Sequence, residues 1–219
     1  IPVIAGTGSN NTSEAISLTR HAKEAGADGS LLITPYYNKP TQQGLYDHYK
    51  AILEEVDIPI IIYNVPSRTG VSISPETVAR LSEFDNIVAI KEATGDIDQA
   101  SQILTLCDIT VLSGDDSLTL PIMSIGGKGV VSVLANILPR EVSELTASIA
   151  KGDIKNSQKL HRSLFPLCKA MFIETNPIPV KTAMKLLGRL NGEMRLPLSK
   201  MSDKHEEQLK KVLNNHGLA

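Results

Sequence analysis

A lysine at the end of an apolar strand is the first residue in this sequence that could do chemistry. Lys91 carries the only charge in residues 87–91, whose apolar and β-branched side chains are typical of a buried strand. In a parallel α/β protein both faces of such a strand are covered, so an amine there loses water and becomes available as a neutral nucleophile. It could then form a Schiff base with a carbonyl substrate. The alternative is an ordinary lysine that reaches solvent or pairs with Glu92.

Two further side chains could assist a nucleophilic amine. Tyr63 ends the apolar run before the Lys91 strand, so its phenol could lie beside the amine and shuttle a proton. Arg68 follows in residues 64–70, which we expect to form a loop, and its guanidinium could bind a carboxylate through two hydrogen bonds. The alternatives are a buried phenol bonded to a backbone carbonyl and a solvated loop arginine.

These residues lie in a repeating pattern of apolar strands and amphipathic helices. The alternation predicts parallel pairing with right-handed crossovers, and a repeat of about 25 to 30 residues is typical of a (β/α) barrel. Strands are predicted at residues 2–5, 30–34, 59–63, 87–91, 110–112 and 129–133. Helices are predicted at 13–25, 44–55, 74–82 and 97–106, with Thr12 or Ser13, Ser74 and Asp96 as N-caps.

The strand pattern ends before residue 139, and helices are predicted at 139–151, 154–173, 177–187 and 202–214. We therefore predict an α/β fold of the (β/α)8 TIM-barrel type. Residues 1–138 would form a partial barrel of six βα units, and residues 139–219 would pack on it as a helical extension. Because a closed barrel of this type has eight strands, we expect two strands to be missing ahead of Ile1.

Composition excludes several classes of function. The net charge of -2, without clustered basic residues, argues against a nucleic-acid or anionic membrane partner. No apolar stretch approaches the roughly 20 residues of a membrane span, and no leader pattern is present, so we expect a cytoplasmic protein. Cys107 and Cys168 lack metal or disulfide spacing and are expected to be buried thiols. We assign no metal and no cofactor: the histidines form no ligand pair and are expected on surfaces or helix faces, and Asp115 and Asp116 are expected to cap helices.

Four segments together resemble the 4-hydroxy-tetrahydrodipicolinate synthase (dihydrodipicolinate synthase) family. They are YNVPSRTG at 63–70, KEATG at 91–95, SGDD at 113–116 and NPIPVK at 176–181. The tyrosine and lysine strand ends are shared with the wider superfamily of pyruvate-dependent lyases and aldolases. Arg68 favours the synthase over the alternatives in that superfamily, N-acetylneuraminate lyase and 2-keto-3-deoxy sugar acid aldolases.

The resemblance implies a lyase of lysine and diaminopimelate biosynthesis that joins pyruvate to L-aspartate 4-semialdehyde without a cofactor. Lys91 matches the lysine that forms the Schiff base with pyruvate, and Tyr63 matches the proton-relay tyrosine. Tyr37 matches a tyrosine lent to the relay of a neighbouring subunit. Arg68 matches the residue that binds the carboxylate of the semialdehyde.

The resemblance also implies a pyruvate pocket, a regulatory site and a homo-oligomer built as a dimer of dimers. Gly114 and Val131 match backbone positions that line the pyruvate pocket. The residues that resemble part of the inter-subunit site where lysine inhibits many members are Asn10, Glu14 and Tyr36.

The chain departs from the family at its beginning. It matches the third to the eighth strand of the family's barrel, whereas the first two strands carry a loop that binds the pyruvate carboxylate and supplies a relay threonine. A second hypothesis is therefore a catalytically incomplete barrel fragment.

Overall fold

The computed structural model describes residues 1–218, and the chain divides into two compact units. The first contains residues 1–114 and 124–130, and the second contains residues 115–123 and the chain from 131 onward. We call them the sheet unit and the helical unit.

The sheet unit is built on a six-stranded parallel sheet whose strands, β1 to β6, lie in sequence order. This order is that of a (β/α) barrel, because a doubly wound sheet reverses its strand order at a switch point. All six predicted strands are present, at Ile4–Gly6, Gly29–Ile33, Ile60–Asn64, Ile87–Glu92, Thr110–Ser113 and Gly129–Val130.

The last strand ends three residues earlier than predicted. β6 stops at Val130, and residues 132–134 bend toward the Asp116 carboxylate, which accepts hydrogen bonds from Val133 N and Leu134 N at 2.9 and 3.0 Å. Backbone groups that could have extended a strand are thus satisfied by a side chain.

Five helices belong to the sheet unit. The N-cap of α1 is Asn11, whose side chain accepts hydrogen bonds from Ser13 N and Glu14 N, so our prediction of Thr12 or Ser13 is wrong. Ser74 and Asp96 cap their helices as predicted. The helices, α1 to α5, are Thr12–Glu24, Gln42–Glu55, Pro66–Thr69, Pro75–Leu81 and Ile97–Leu106.

The two faces of the sheet differ in burial. Leu32, Ile62 and Ile90, which point to one face, are fully buried together with the apolar residues of the surrounding helices. Alternate residues point to the other face, where Ile61 and Lys91 are half-buried. Full cover on both faces, expected for a parallel sheet, is therefore wrong for the described residues.

The helical unit contains the remaining helices. α7 packs on α8, and α10 contacts both α8 and α9. Within residues 1–218, no helix combines the length and the apolar character needed to cross a bilayer. The helices, α6 to α10, are Thr119–Ser124, Pro139–Ala150, Ile154–Ala170, Ile178–Leu186 and Asp203–Asn215, and 3₁₀ turns lie at Asp116–Leu118 and Leu134–Asn136.

Three side chains test the predictions about thiols and histidines. Cys168 is buried as expected, and burial raises the pKa of its thiol to about 12. Cys107 is only half-buried, contrary to the prediction. His48 lies on a helix face, as the prediction allows, and is 5% exposed.

His48 lies on α2, where its Nδ1 is 2.9 Å from the Thr12 hydroxyl of α1 and its ring meets the edge of Tyr49. Burial lowers the pKa of His48 from 6.5 to about 4, since the imidazolium would lose its hydration. The packing of α1 on α2 thus depends on a neutral histidine.

We expect the stability of the chain to fall as the pH is lowered from 6.5 to 4, because the unfolded chain takes up a proton at His48 over this range and the folded chain does not. The full shift corresponds to about 3 kcal/mol of unfolding free energy. Urea melts at a series of pH values should show a flatter dependence in His48→Gln. The exposed His21→Gln variant is the control, and equal slopes in His48→Gln and the parent would contradict the assignment.

Candidate active site

Lys91 and Tyr63 lie side by side at the carboxyl ends of β4 and β3. The two residues are partners in the strand register, so their side chains share the half-buried face of the sheet. Lys91 Nζ is 3.9 Å from the centre of the Tyr63 ring, within the range of a cation–π contact. The structure therefore brings together the amine and the phenol that the sequence places on neighbouring strands.

Arg68 stands close to this pair on a helix that the sequence did not predict. Residues expected to form a loop contain the one-turn helix α3, which begins at Pro66 and ends at Gly70 with a φ of 77°. Proline favours the first helical position, and glycine tolerates the left-handed conformation that stops the helix. Burial raises the pKa of Tyr63, and the positive charge of Arg68 opposes that rise.

Gly114 approaches Lys91 more closely than any residue with a side chain could. A Cβ at this position would lie 2.5 Å from the Ala93 Cβ and 3.2 Å from Lys91 Cε. The Gly114 N–H donates to the Glu92 carbonyl at 2.7 Å, which fixes the backbone there. One wall beside the amine is thus made of backbone, as expected for a glycine at a point of close approach.

Val131, the other predicted pocket residue, belongs to the helical unit. It is half-buried and directly follows β6. The next residue, Ser132, donates its hydroxyl to Asp116, whose pKa is raised by burial. Val131 therefore begins a segment that a buried carboxyl group holds in place.

The paired aspartates have structural roles. Asp115 caps the 3₁₀ turn that follows it by accepting a hydrogen bond from Ser117 N at 3.0 Å. Asp116 accepts the hydrogen bonds described above from Ser132, Val133 and Leu134. In the part of the chain that the structure describes, no group of three histidine, cysteine, aspartate or glutamate residues could hold a metal ion.

Tyr37 lies on the loop after β2 and is 88% exposed. Its φ of 73° is uncommon for a residue other than glycine and costs about 1 kcal/mol or more, which the surrounding contacts must offset. One such contact is the bond from Tyr37 N to the Thr69 carbonyl of α3, at 3.2 Å. The loop that carries this exposed ring is thus bonded to the helix that carries Arg68.

The three residues matched to the regulatory site are connected through Asn38 and Ser9. Asn38 donates its backbone N–H to the Tyr36 carbonyl and its side-chain amide to the Asn10 carbonyl, both at 2.9 Å. The Ser9 hydroxyl donates to the Glu14 carboxylate. The structure therefore groups Asn10, Glu14 and Tyr36 at one end of α1 and the loop after β2.

A buried polar pair lies behind the Lys91 and Tyr63 side chains. Glu92 is 2% exposed, Asn64 is 0% exposed, and Asn64 Nδ2 donates to the Glu92 carboxylate at 3.0 Å. Burial raises the pKa of Glu92. Because successive side chains in a strand point to opposite faces, Glu92 is directed away from the face of Lys91. The sequence offered one signal for this pair, a polar residue after each reactive strand end.

The arrangement suits the chemistry of a carbonyl substrate with a carboxylate. An amine beside a phenol can attack the carbonyl while a proton is moved, and a nearby guanidinium can bind the carboxylate.

Comparison with known proteins agrees with this chemistry. The profile of the dihydrodipicolinate synthetase family matches residues 1–216. A protein of Thermodesulfovibrio yellowstonii named 4-hydroxy-tetrahydrodipicolinate synthase is 58% identical over 100% of this chain and 76% of its own length.

Solved structures agree with this comparison. Dihydrodipicolinate synthase from Aquifex aeolicus is 56% identical with a TM-score of 0.97, over 100% of this chain and 75% of that one. The enzyme from Cyanidioschyzon merolae, solved with lysine bound, is 41% identical with a TM-score of 0.96, over 100% of this chain and 75% of that one.

Proposed function

Because the chain belongs to the dihydrodipicolinate synthetase family, we propose that it condenses pyruvate with L-aspartate 4-semialdehyde through a Schiff base on Lys91. The product is 4-hydroxy-tetrahydrodipicolinate, in lysine and diaminopimelate biosynthesis. The names of the curated relatives favour this synthase over N-acetylneuraminate lyase or a sugar acid aldolase. The observation that carries the proposal is the 3.9 Å approach of Lys91 Nζ to the Tyr63 ring at adjacent strand ends.

In the proposed mechanism, the neutral Lys91 amine attacks the keto carbon of pyruvate, and loss of water leaves a protonated imine. Tyr63, left as a phenolate once it has protonated the departing hydroxyl, takes a proton from the methyl group and gives an enamine. The enamine carbon attacks the aldehyde of the second substrate, and the aldehyde oxygen takes that proton back from Tyr63. The amine of the second substrate then displaces the Lys91 amine from the imine carbon, which closes the ring of the product and frees the lysine. Tyr63 transfers protons to and from the oxygen that leaves as water. The backbone of Gly114 lines the pyruvate pocket, and Arg68 binds the carboxylate of the semialdehyde.

We propose that the chain works as a homo-oligomer, a dimer of dimers, in which Tyr37 enters the relay of a neighbouring subunit. The 88% exposure of an aromatic ring on a strained backbone supports this role. Exposed aromatic side chains are enriched at protein interfaces.

We propose further that lysine binds at Asn10, Glu14 and Tyr36 and inhibits the enzyme. Their grouping through Asn38 and Ser9 supports this site, as does the lysine-bound structure of the Cyanidioschyzon merolae relative.

At the level of the fold, we propose that β1 to β6 are the third to the eighth strand of a (β/α)8 barrel, with a helical extension beginning at residue 139. The sequential parallel order of the strands supports this assignment. We place the enzyme in the cytoplasm, a compartment suited to the free thiols of Cys107 and Cys168.

Borohydride reduction in the presence of pyruvate should add one pyruvate-derived group to the peptide that contains Lys91, detected by mass spectrometry. Lys91→Ala should lose the label, and so should Lys91→Arg, because a guanidinium stays protonated and cannot attack. The exposed Lys128→Ala variant is the control and should label normally. Labelling that persists in Lys91→Ala would contradict the proposal.

Arg68→Ala should raise the KM for aspartate semialdehyde by about 10- to 100-fold, the loss of one charged hydrogen-bonded contact, and leave the KM for pyruvate nearly unchanged. Steady-state kinetics with each substrate varied in turn gives both constants. Arg20→Ala removes an exposed arginine elsewhere and should change neither. Equal rises in both KM values for Arg68→Ala would point to a structural role.

Mixing two inactive variants should test whether Tyr37 acts across a subunit interface. Tyr37→Phe removes the relay hydroxyl and Lys91→Ala removes the nucleophile, so a mixed dimer regains one complete site. Random reassembly should restore about a quarter of the parent's activity. A mixture as inactive as its components, or a monomer in analytical ultracentrifugation, would refute the shared site.

A further inference from the structure

We infer that Glu92 and Asn64 are positioning residues, which hold Lys91 and Tyr63 in their reactive alignment from the opposite face of the sheet. The inference rests on the proposed function, because it assigns Lys91 as the Schiff-base residue. It concerns side chains that lie behind the site and touch no substrate.

The alignment of the two pairs follows from the strand register. Tyr63 is paired with Lys91 on β3 and β4, and the next position pairs Asn64 with Glu92. Adjacent positions point to opposite faces, so the polar pair stands directly behind the reactive pair. Any sliding of β4 along β3 would move both pairs by the same amount.

A hydrogen-bond network fixes the polar pair in this one register. One carboxylate oxygen of Glu92 accepts from Thr94 N at 2.7 Å. The other accepts from Asn64 Nδ2 at 3.0 Å and from the Gln99 amide at 3.4 Å. Both oxygens of this buried carboxylate accept hydrogen bonds. A slipped register would remove these donors and leave the carboxylate buried without them, which is costly in free energy.

The same network reaches the segment that follows the Arg68 helix. Asn64 Oδ1 accepts from Ile73 N at 3.2 Å, and its amide nitrogen lies 3.2 Å from the Ser72 hydroxyl, to which it donates. Gln99, on α5, donates to the Ile73 carbonyl at 3.0 Å. Two buried side chains thus connect β3, β4, α5 and the chain just beyond α3.

The level of the polar pair also holds the buried Ser113, the register partner of Glu92, whereas this face is apolar toward the amino ends of the strands. Ile60, Ile62, Ile90 and Val111 are all 0% exposed there. Aliphatic side chains would fill the same space and would tolerate small shifts, whereas a hydrogen-bonded pair has one favoured geometry. We attribute the polar pair to the need for an exact distance between the amine and the phenol in front of it.

An exchange of the pair tests the inference. Glu92→Gln must turn an amide nitrogen toward a donor, either the Asn64 amide or Thr94 N, and Asn64→Asp places a second carboxylate opposite Glu92, so each single variant loses a complementary contact. The double variant Asn64→Asp/Glu92→Gln restores one donor and one acceptor. The measured quantity is the rate at which borohydride traps pyruvate on Lys91 in the full chain, alongside the melting temperature and the far-UV circular dichroism.

We expect each single variant to trap pyruvate about tenfold more slowly or worse at a temperature where it is folded, because small displacements of reacting groups have large effects on rate. The double variant should return to within about threefold of the parent, the non-additivity expected of a coupled pair. The matched control is a hydrogen-bonded pair near the surface, Asn86 and Asp57, in which Asn86 Nδ2 donates to Asp57 at 2.9 Å. The exchange Asn86→Asp/Asp57→Asn should leave the rate of trapping unchanged.

The outcomes separate this inference from the proposed function. A parent chain that traps no pyruvate at Lys91 overturns the proposed function and the inference with it. A parent that traps normally, with single variants that trap at the same rate, overturns the inference alone. If a single variant does not fold, the double variant decides. A folded double variant that traps at the parent's rate supports the inference. One that regains stability but not trapping shows that restoring the hydrogen bond does not restore the alignment, and overturns it.

Discussion

The parallel ladder between β3 and β4 is the interaction on which the rest of this structure depends. Its register puts a phenol beside an amine on one face and a carboxamide beside a carboxylate on the other. A displacement of β4 by one residue would move its side chains to the opposite faces, so that the lysine would be buried and the glutamate exposed. Chemistry and stability are therefore determined by the same set of backbone hydrogen bonds.

The surroundings of this ladder are arranged to bring other groups to the same rim. β3 leads within one residue into α3, so a guanidinium stands near the phenol without a long flexible loop. β5 is followed by a glycine whose backbone fits against the lysine strand. The loop after β2 is bonded to the end of α3 and holds an exposed tyrosine. Each functional group is thus placed by the end of a regular element or by a loop bonded to one.

The sequence predicted the strands and most helices well, because apolar periodicity is strong in this chain. All six strands and the caps Ser74 and Asp96 were identified. Helix α3 was missed because four residues are too few to show a helical period. The burial of His48 and the end of β6 at Val130 depend on partners distant in sequence, Thr12 and Asp116, which no local pattern reveals. For the site, the sequence placed Lys91 and Tyr63 together, whereas the hydrogen bonds from Asn64 and Gln99 to Glu92 join residues distant in sequence and have no local pattern.

The close approach of Gly114 to the lysine strand has a consequence for how such a pocket can evolve. A wall formed by peptide groups offers no side chain that a point mutation could trim or enlarge, and any added Cβ would meet Ala93 at 2.5 Å. Selection for a new substrate therefore has little room to act at this wall. Diversification of the pocket must come from other strand ends and from side chains such as Arg68.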